Sequence, residues 1–351
     1  MKIAVDVQGC DNGIAAVVEG ARIAAAEGID IVLVGPTDEI AAAGELPSNI
    51  SVVNATEVVT NHDDPATAVR NRKDSSIVVA AKLVPAGEAD AVVSAGPTGA
   101  ALAASLFNMK RIKGVKRPAI AVLLPDGRGG RTLLLDAGAN VDVPAEMLVQ
   151  FATLGAQFCI RVLGIENPRV GLLSIGEESG KGNERVVEAG RLLSDPANSY
   201  HFNYLGNVEG RDIVLDVADV VVTDGFTGNV ALKSIEGAAK ATMLAAVDAI
   251  KSNWVSKIGG LLAKRSLMKI REEVDPNTTG GALLLGLRGV AVVAHGSSNE
   301  QGIAAAIRLA HKSALGDVTG HMASAIAELN AHAASADAVT LGEPEVATND
   351  A

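Results

Sequence analysis

The chain has 351 residues, 48% of them apolar and only 2% aromatic, with a net charge of −11. That composition excludes a disordered or collagen-like chain and supplies enough aliphatic surface for a sizeable core. The acidic balance argues against a nucleic-acid partner, and two cysteines, Cys10 and Cys159, are too few for a disulfide framework or a metal motif, which suits a reducing cytoplasm.

The first stretch, MKIAVDVQG, reads as a strand running into a turn, without the apolar core and cleavage site of a signal peptide. Aliphatic runs then recur along the chain: DIVLVG, ADAVVSAG, PAIAVLLP, TLLLDAG, RVGLLSIG, ADVVVTDG and GVAVVAHG. They are continuously apolar, as strands covered on both faces should be. Helical stretches such as AAVVEGARIAAAEG and SSIVVAAKLVPAGEAD lie between them. This alternation predicts an α/β fold of three layers, helices on either side of a largely parallel sheet, with ligands beyond the carboxyl ends of the strands. We take residues 1–330 as a single domain and 331–351, which lack periodicity, as a disordered tail. No stretch qualifies as a transmembrane span; Arg288, for example, interrupts GALLLGLRGVAVVAHG.

One motif occurs twice. ADAVVSAGPTGA (Ala89 to Ala100) and ADVVVTDGFTGN (Ala218 to Asn229) share a strand, a glycine turn and the start of a helix. Unpaired N–H groups at a helix start bind anions, and glycine lets the backbone approach them. Gly96, Thr98 and Gly99 in the first copy, and Asp224, Gly225, Thr227 and Gly228 in the second, are candidate phosphate-binding residues. Ordinary caps and turns are the competing reading. Pro97 withholds an N–H from the first copy, whereas Asn229 adds an amide to the second.

Other post-strand turns add candidates: Asp6 and Gly9, Asp136 and Asn140 in DAGANVD, and His295 and Ser297 in AHGSSN. SIGEESGKGNE fails as a nucleotide P-loop, because three residues rather than four separate Gly176 from Gly180 and Gly182 follows Lys181. Lys181 remains a mobile point charge for an anion, with Asn183 beside it. Asp136 and Asp142 read as caps or as a metal site. A Cys10 nucleophile lacks a nearby histidine in the sequence. There is no G-x-G-x-x-G after the first strand, so no dinucleotide is expected.

Residues 243–272 break the strand rhythm with an amphipathic hairpin, expected to bend at Gly259–Gly260. It carries Trp254, Val255, Ile258, Leu261 and Leu262 among Lys251, Lys257, Lys264, Arg265, Lys269 and Arg271, with no acid from Lys251 to Arg271. A second basic cluster, MKRIKGVKRP, spans Met109 to Pro118.

The stretches SAGPTGA, LLLDAGANVD, GLLSIGEESGKGNE, LGNVEGRDI, DGFTGNVALKSIEG and AHGSSNE, in this order, resemble the bacterial phosphate acyltransferases from Met1 to about Leu315. The resemblance implies a fold akin to isocitrate dehydrogenase and phosphotransacetylase. It implies transfer of a fatty acyl group from acyl carrier protein to inorganic phosphate, giving acyl phosphate for phospholipid synthesis. It further implies a cytoplasmic homodimer with peripheral contact to an anionic membrane, and no cofactor or metal. Lys181 and Asn229 match the family's pattern and are expected to position phosphate and stabilise the carbonyl oxygen, with His295 protonating the leaving thiolate. Two loops depart from it: Gln8-Gly9-Cys10-Asp11 stands where the family has Met-Gly-Gly-Asp, and Pro97 where it has Asn. An acyl-coenzyme A-using phosphotransacylase and a non-catalytic paralogue that binds carrier protein or membrane are the alternatives.

Overall fold

The computed structural model describes residues 1–196, 200–275, 278 and 280–340, with the backbone alone for 269–274 and 333–340. Eleven strands form one sheet: β1 (Lys2–Asp6), β2 (Asp30–Gly35), β3 (Ile50–Asn54), β4 (Ala91–Ser94), β5 (Ala119–Pro125), β6 (Arg131–Leu135), β7 (Arg169–Leu173), β8 (Asn203–Val208), β9 (Val220–Val222), β10 (Ala282–Leu285) and β11 (Val290–Val293). Their order is β3-β2-β1-β4-β11-β10-β5-β6-β9-β7-β8. Every aliphatic run named above is a strand, while β3, β8 and β10 are additions.

The sheet is parallel on both flanks and antiparallel in the middle. β10 runs against both β11 and β5, and β5 against β6. The parallel set β6, β9, β7, β8 therefore runs opposite to the set β3, β2, β1, β4, β11. Side chains that alternate along each strand feed two cores, one on either face. Ile3, Leu33, Leu135 and Phe151 belong to one, Ala4, Val92, Leu134 and Val221 to the other. These are the three layers expected.

Helix α1 (Gly13–Ala26) packs against α10 (Glu300–Leu315), and α4 (Ser76–Leu83) against α5 (Thr98–Met109). Between α1 and α4 lie the short helices α2 (Thr37–Ala42) and α3 (Pro65–Asn71). Helix α6 (Ala145–Phe158) continues through a π-helical turn to Leu163. That span is long and apolar enough to cross a bilayer, yet 78% of it is buried, so it is a core helix. Helix α7 is Glu184–Leu193, α8 Gly225–Lys251, α9 Trp254–Val274 and α11 Val318–Thr340. α11 thus runs through much of the stretch expected to be a tail, and residues 341–351 lie outside the described residues.

The bend of the hairpin falls at Ser252–Asn253, not at Gly259–Gly260. Both glycines lie within α9. A Cβ at Gly260 would come within 2.4 Å of Ile250 Cγ2, so this glycine lets the two helices close together. Asn253 accepts from the Ser256 N–H (2.9 Å) and caps the new helix, a local signal stronger than a glycine pair.

Candidate functional site

β1 and β4 are neighbours, yet the chain leaves β1 towards β2 and reaches β4 only after crossing back from β3. Such a switch point opens a crevice beyond the carboxyl ends of the two strands. The turns after β1 and β4 meet there, joined by the turn after β11. The Asp11 N–H donates to Gly296 O (2.8 Å), and Asn12 Nδ2 to Ser297 O (3.0 Å) and Ser298 O (2.9 Å). Gly9 has a φ of +84°, and a Cβ there would lie 2.7 Å from Gly96 Cα. No other residue type lets these two backbones touch.

Asp6 lies buried beneath these turns. It accepts from Ser94 Oγ (2.6 Å) and the Gln8 N–H (3.1 Å), and Ser94 Oγ accepts in turn from the Gly96 N–H (3.0 Å). Burial raises its carboxyl to about 6, against the lowering by the Ser76 and Ser94 hydroxyls. Asp6 therefore acts on the turn that carries Gly96 by holding Ser94.

The helix starts above it are open. Pro97 is the N-cap of α5 and withholds one donor, but no side chain caps the N–H groups of Thr98, Gly99 and Ala100. Asn12, the N-cap of α1, spends its amide on the 297–298 carbonyls and likewise caps nothing, although the first N–H of that helix, on Gly13, donates to Cys10 O (3.0 Å). At the end of β11, Ser297 approaches His295 Nδ1 with its N–H (3.2 Å) and Oγ (2.8 Å). An N–H donating to Nδ1 makes that nitrogen the acceptor, so the ring proton sits on Nε2. His295 is exposed and presents an Nε2–H donor.

Cys10 shares this crevice. Its half-buried thiol donates to Ser298 O (3.5 Å), and burial pushes its pKa up, which argues against a thiolate nucleophile.

The second group forms where β6, β9 and β7 end side by side. Asp136 is fully buried and accepts five hydrogen bonds. Oδ1 takes the N–H groups of Ile120 (3.0 Å), Gly138 (3.0 Å) and Ala139 (2.9 Å); Oδ2 takes the Asn140 N–H and Nδ2 (2.8 Å each). Burial raises its pKa. Asp142 is ion-paired with Arg185. The hydrogen bonds make Asp136 a fastener of its own loop, which is neither the helix cap nor the metal site read from the sequence; the N-cap of α6 is Pro144. A Cβ at Gly228 would fall 2.0 Å from Asp136 O, so α8 starts in direct contact with this loop. Asn229 Nδ2 donates to Ala137 O at 3.3 Å.

Asp224 accepts from the Thr227 N–H (2.8 Å) and Oγ (2.9 Å), and Asn183 from the Arg185 (3.1 Å) and Val186 (3.0 Å) N–H groups. Both helix starts are thus satisfied internally. Of the twin motifs, the second is capped by its own carboxylate and the first is open. Lys181 has its backbone oxygen held by Ser174 Oγ (2.9 Å) and Asn207 Nδ2 (3.2 Å), while its side chain is exposed and makes no ion pair among the described residues.

Because the flanks of the sheet run oppositely, the strands that carry the two groups run in opposite senses. No hydrogen bond among the described residues joins Gly96–Gly99 to Asp224–Asn229. β4 and β9 are five strand steps apart.

The sequence reading missed Ser94, Asn12 and Ser298. Ser94 was legible as the polar end of an apolar strand; the 12–298 contacts join residues 286 apart and leave no local signal.

In the hairpin, Trp254, Val255, Ile258, Leu261 and Leu262 are all exposed, Leu262 at 83%, beside exposed Lys251, Lys257, Lys264 and Arg265. The side chains of Lys269 and Arg271 lie outside the described residues.

A family profile described as "Fatty acid synthesis protein" matches residues 1–320. A protein from Geotalea uraniireducens named phosphate acyltransferase is 47% identical over 333 residues, 93% of this chain and 95% of that protein. One of the same name from Desulforudis audaxviator is 43% identical over 335 residues, covering 95% and 98%. Among solved structures, a phosphotransacetylase from Staphylococcus aureus superposes with a TM-score of 0.58 at 16% identity, over 90% of this chain and 94% of that one. A branched-chain phosphotransacylase from Enterococcus faecalis gives 0.56 at 14%, over 90% and 99%. At these identities the structural likeness concerns the fold alone.

Proposed function

This chain belongs to the fatty acid synthesis protein family whose curated relatives are phosphate acyltransferases, and from that footing we propose how its two groups of turns divide the reaction. The protein is an acyltransferase that moves an acyl group onto phosphate for phospholipid synthesis. Its acyl donor in this reading is an acyl carrier protein thioester, and its product a fatty acyl phosphate.

Phosphate sits at the β1–β4 switch point. The observation that carries this is the pair of uncapped helix starts, α1 and α5, with Gly9 and Gly96 in backbone contact between them. Open N–H groups hold the anion without protonating it, so it keeps its nucleophilicity and gains orientation. His295 Nε2–H donates a hydrogen bond to the departing thiolate and stabilises its charge, with Ser297 fixing the tautomer. The rim containing Lys181 and Asn229 forms the facing wall, where a cation and an amide receive the thioester arm and the carbonyl oxygen as charge develops. Gly99, Thr98 and Gly96 belong to the first wall; Asn140, Gly225, Thr227 and Gly228 shape the second.

The exposed hairpin is the peripheral membrane contact. Its indole and aliphatic side chains enter the headgroup region while its lysines and arginines meet anionic lipid. The protein is a cytoplasmic homodimer in this reading.

The test is amide exchange with phosphate and a non-hydrolysable acyl-thioester analogue bound together. Protection at both Gly96–Ala100 and Asp224–Asn229 is the expected outcome. Protection at one wall alone overturns the shared site. Acyl phosphate formed from acyl-coenzyme A but not from the carrier thioester would move the donor to coenzyme A.

A further inference from the structure

The loop from α5 to β5 carries Lys110, Arg111, Lys113, Lys116 and Arg117 with no acid between Met109 and Pro118, and all five are exposed. The turn between β10 and β11 adds exposed Arg288. On a chain of net charge −11 this is a local inversion of sign. Among the described residues a single ion pair, Lys116 with Glu146 (3.3 Å), neutralises any of it.

The patch is built on a rigid base. The Arg288 N–H donates to Lys110 O (3.1 Å) and its Nε to Arg111 O (3.0 Å). The Ile112 N–H donates to Gly286 O (3.0 Å), and Gln150 bridges the Lys116 N–H (3.0 Å) and Gly114 O (2.9 Å). The cations are thus presented by a backbone that is already ordered, which lowers the entropy lost on docking.

We propose that this surface docks an acidic carrier protein and delivers its thioester arm to the site; the inference rests on the acyl-transfer reading above. Two observations carry it. First, the patch adjoins the second wall: Asn140 Nδ2 donates to Pro118 O (2.8 Å), and the Ile120 N–H to Asp136 Oδ1 (3.0 Å). The loop that ends in Arg117 is therefore fastened directly to the rim that holds Asn229. Second, its apolar residues point inward. Ile112 is 3% exposed and Val115 4%, whereas Trp254 and Leu262 in the hairpin are exposed at 74% and 83%. A bilayer contact needs an exposed apolar wedge beside its cations. A surface with cations and no wedge matches the charged helices of an acidic protein, which it steers and orients by long-range attraction.

The test is the double variant Lys113→Glu/Arg117→Glu; no hydrogen bond or ion pair of either side chain is seen among the described residues. The KM for an acyl carrier protein thioester should rise by about tenfold or more, with kcat unchanged and a weaker dependence on ionic strength. Turnover of a short acyl-pantetheine thioester should not change. The Lys113→Arg/Arg117→Lys variant should restore the KM. Binding of fluorescently labelled carrier protein at low salt is measured in parallel, without turnover. Loss of that binding in the reversed variant supports the dock even if the unmodified protein forms no acyl phosphate, a result that would sink the functional reading instead. An unchanged KM and unchanged binding overturn the dock. So does a variant that loses anionic vesicles while keeping the carrier protein.

Discussion

Asp6 shows how one buried carboxyl ties the site to stability. Its folded pKa of about 6 lies above its ordinary 3.8, because burial disfavours the charge. The folded state therefore holds a proton that the unfolded state releases. Stability from this group is present below about pH 4 and declines as pH rises to about 6, by about 3 kcal/mol in all. Asp6→Asn should remove that decline, seen as a flatter melting temperature between pH 4 and 6; an identical slope in both proteins would refute the assignment. Gly228 is a second such residue. Gly228→Ala places a methyl against Asp136 O and should cost about 1–3 kcal/mol or more in urea unfolding. Loss of less than about 0.5 kcal/mol would show that the α8 start yields easily.

Among the elements, α8 links the second group of turns to the surface. It starts at Asp224 in that group, buries Gly225, Gly228 and Leu232, and then leaves the body of the protein. α9 returns beside it with nearly all its described side chains exposed. Such a hairpin exposes too much apolar surface to stand alone in water. Trp254→Ser/Leu262→Glu should lower binding to anionic vesicles at least about tenfold while leaving turnover of a water-soluble thioester intact. If vesicle binding persists and the oligomeric state in solution changes instead, the hairpin is a contact between copies of the chain. α5 teaches a related lesson. Pro97 looked damaging to an anion cradle in the sequence; as an N-cap it leaves three of the four first-turn donors in place.

For the whole molecule, one sheet runs through both flanks, and α6 lies deep against it. Cys159 at the end of α6 is 0% exposed, with its thiol pKa pushed up by burial. A thiol reagent should label half-buried Cys10 slowly in the native protein and reach Cys159 only as fast as the molecule unfolds. Labelling of Cys159 at the Cys10 rate would mean that the sheet opens locally. The reversal at β10 and β5 also decides where the two groups of turns stand. Neither strand's direction is written in its own residues: PAIAVLLP reads the same whichever way its neighbours run.

Eight of the eleven strands, the layers and the polar ends that line the crevice are legible in the amino-acid order, because short aliphatic runs suit strands covered on both faces, and glycine, aspartate and serine mark where they stop. The twin motif is visible at that level too. Which copy is capped is visible there as well, since Asp224 stands where the first copy has Ala95; that Asn12 spends its amide on the 297–298 carbonyls is not. Sheet order, the opposed flanks and the bond from Asn140 to Pro118 likewise came only from the folded chain, because they depend on contacts between residues far apart in sequence, whose energies no local pattern records.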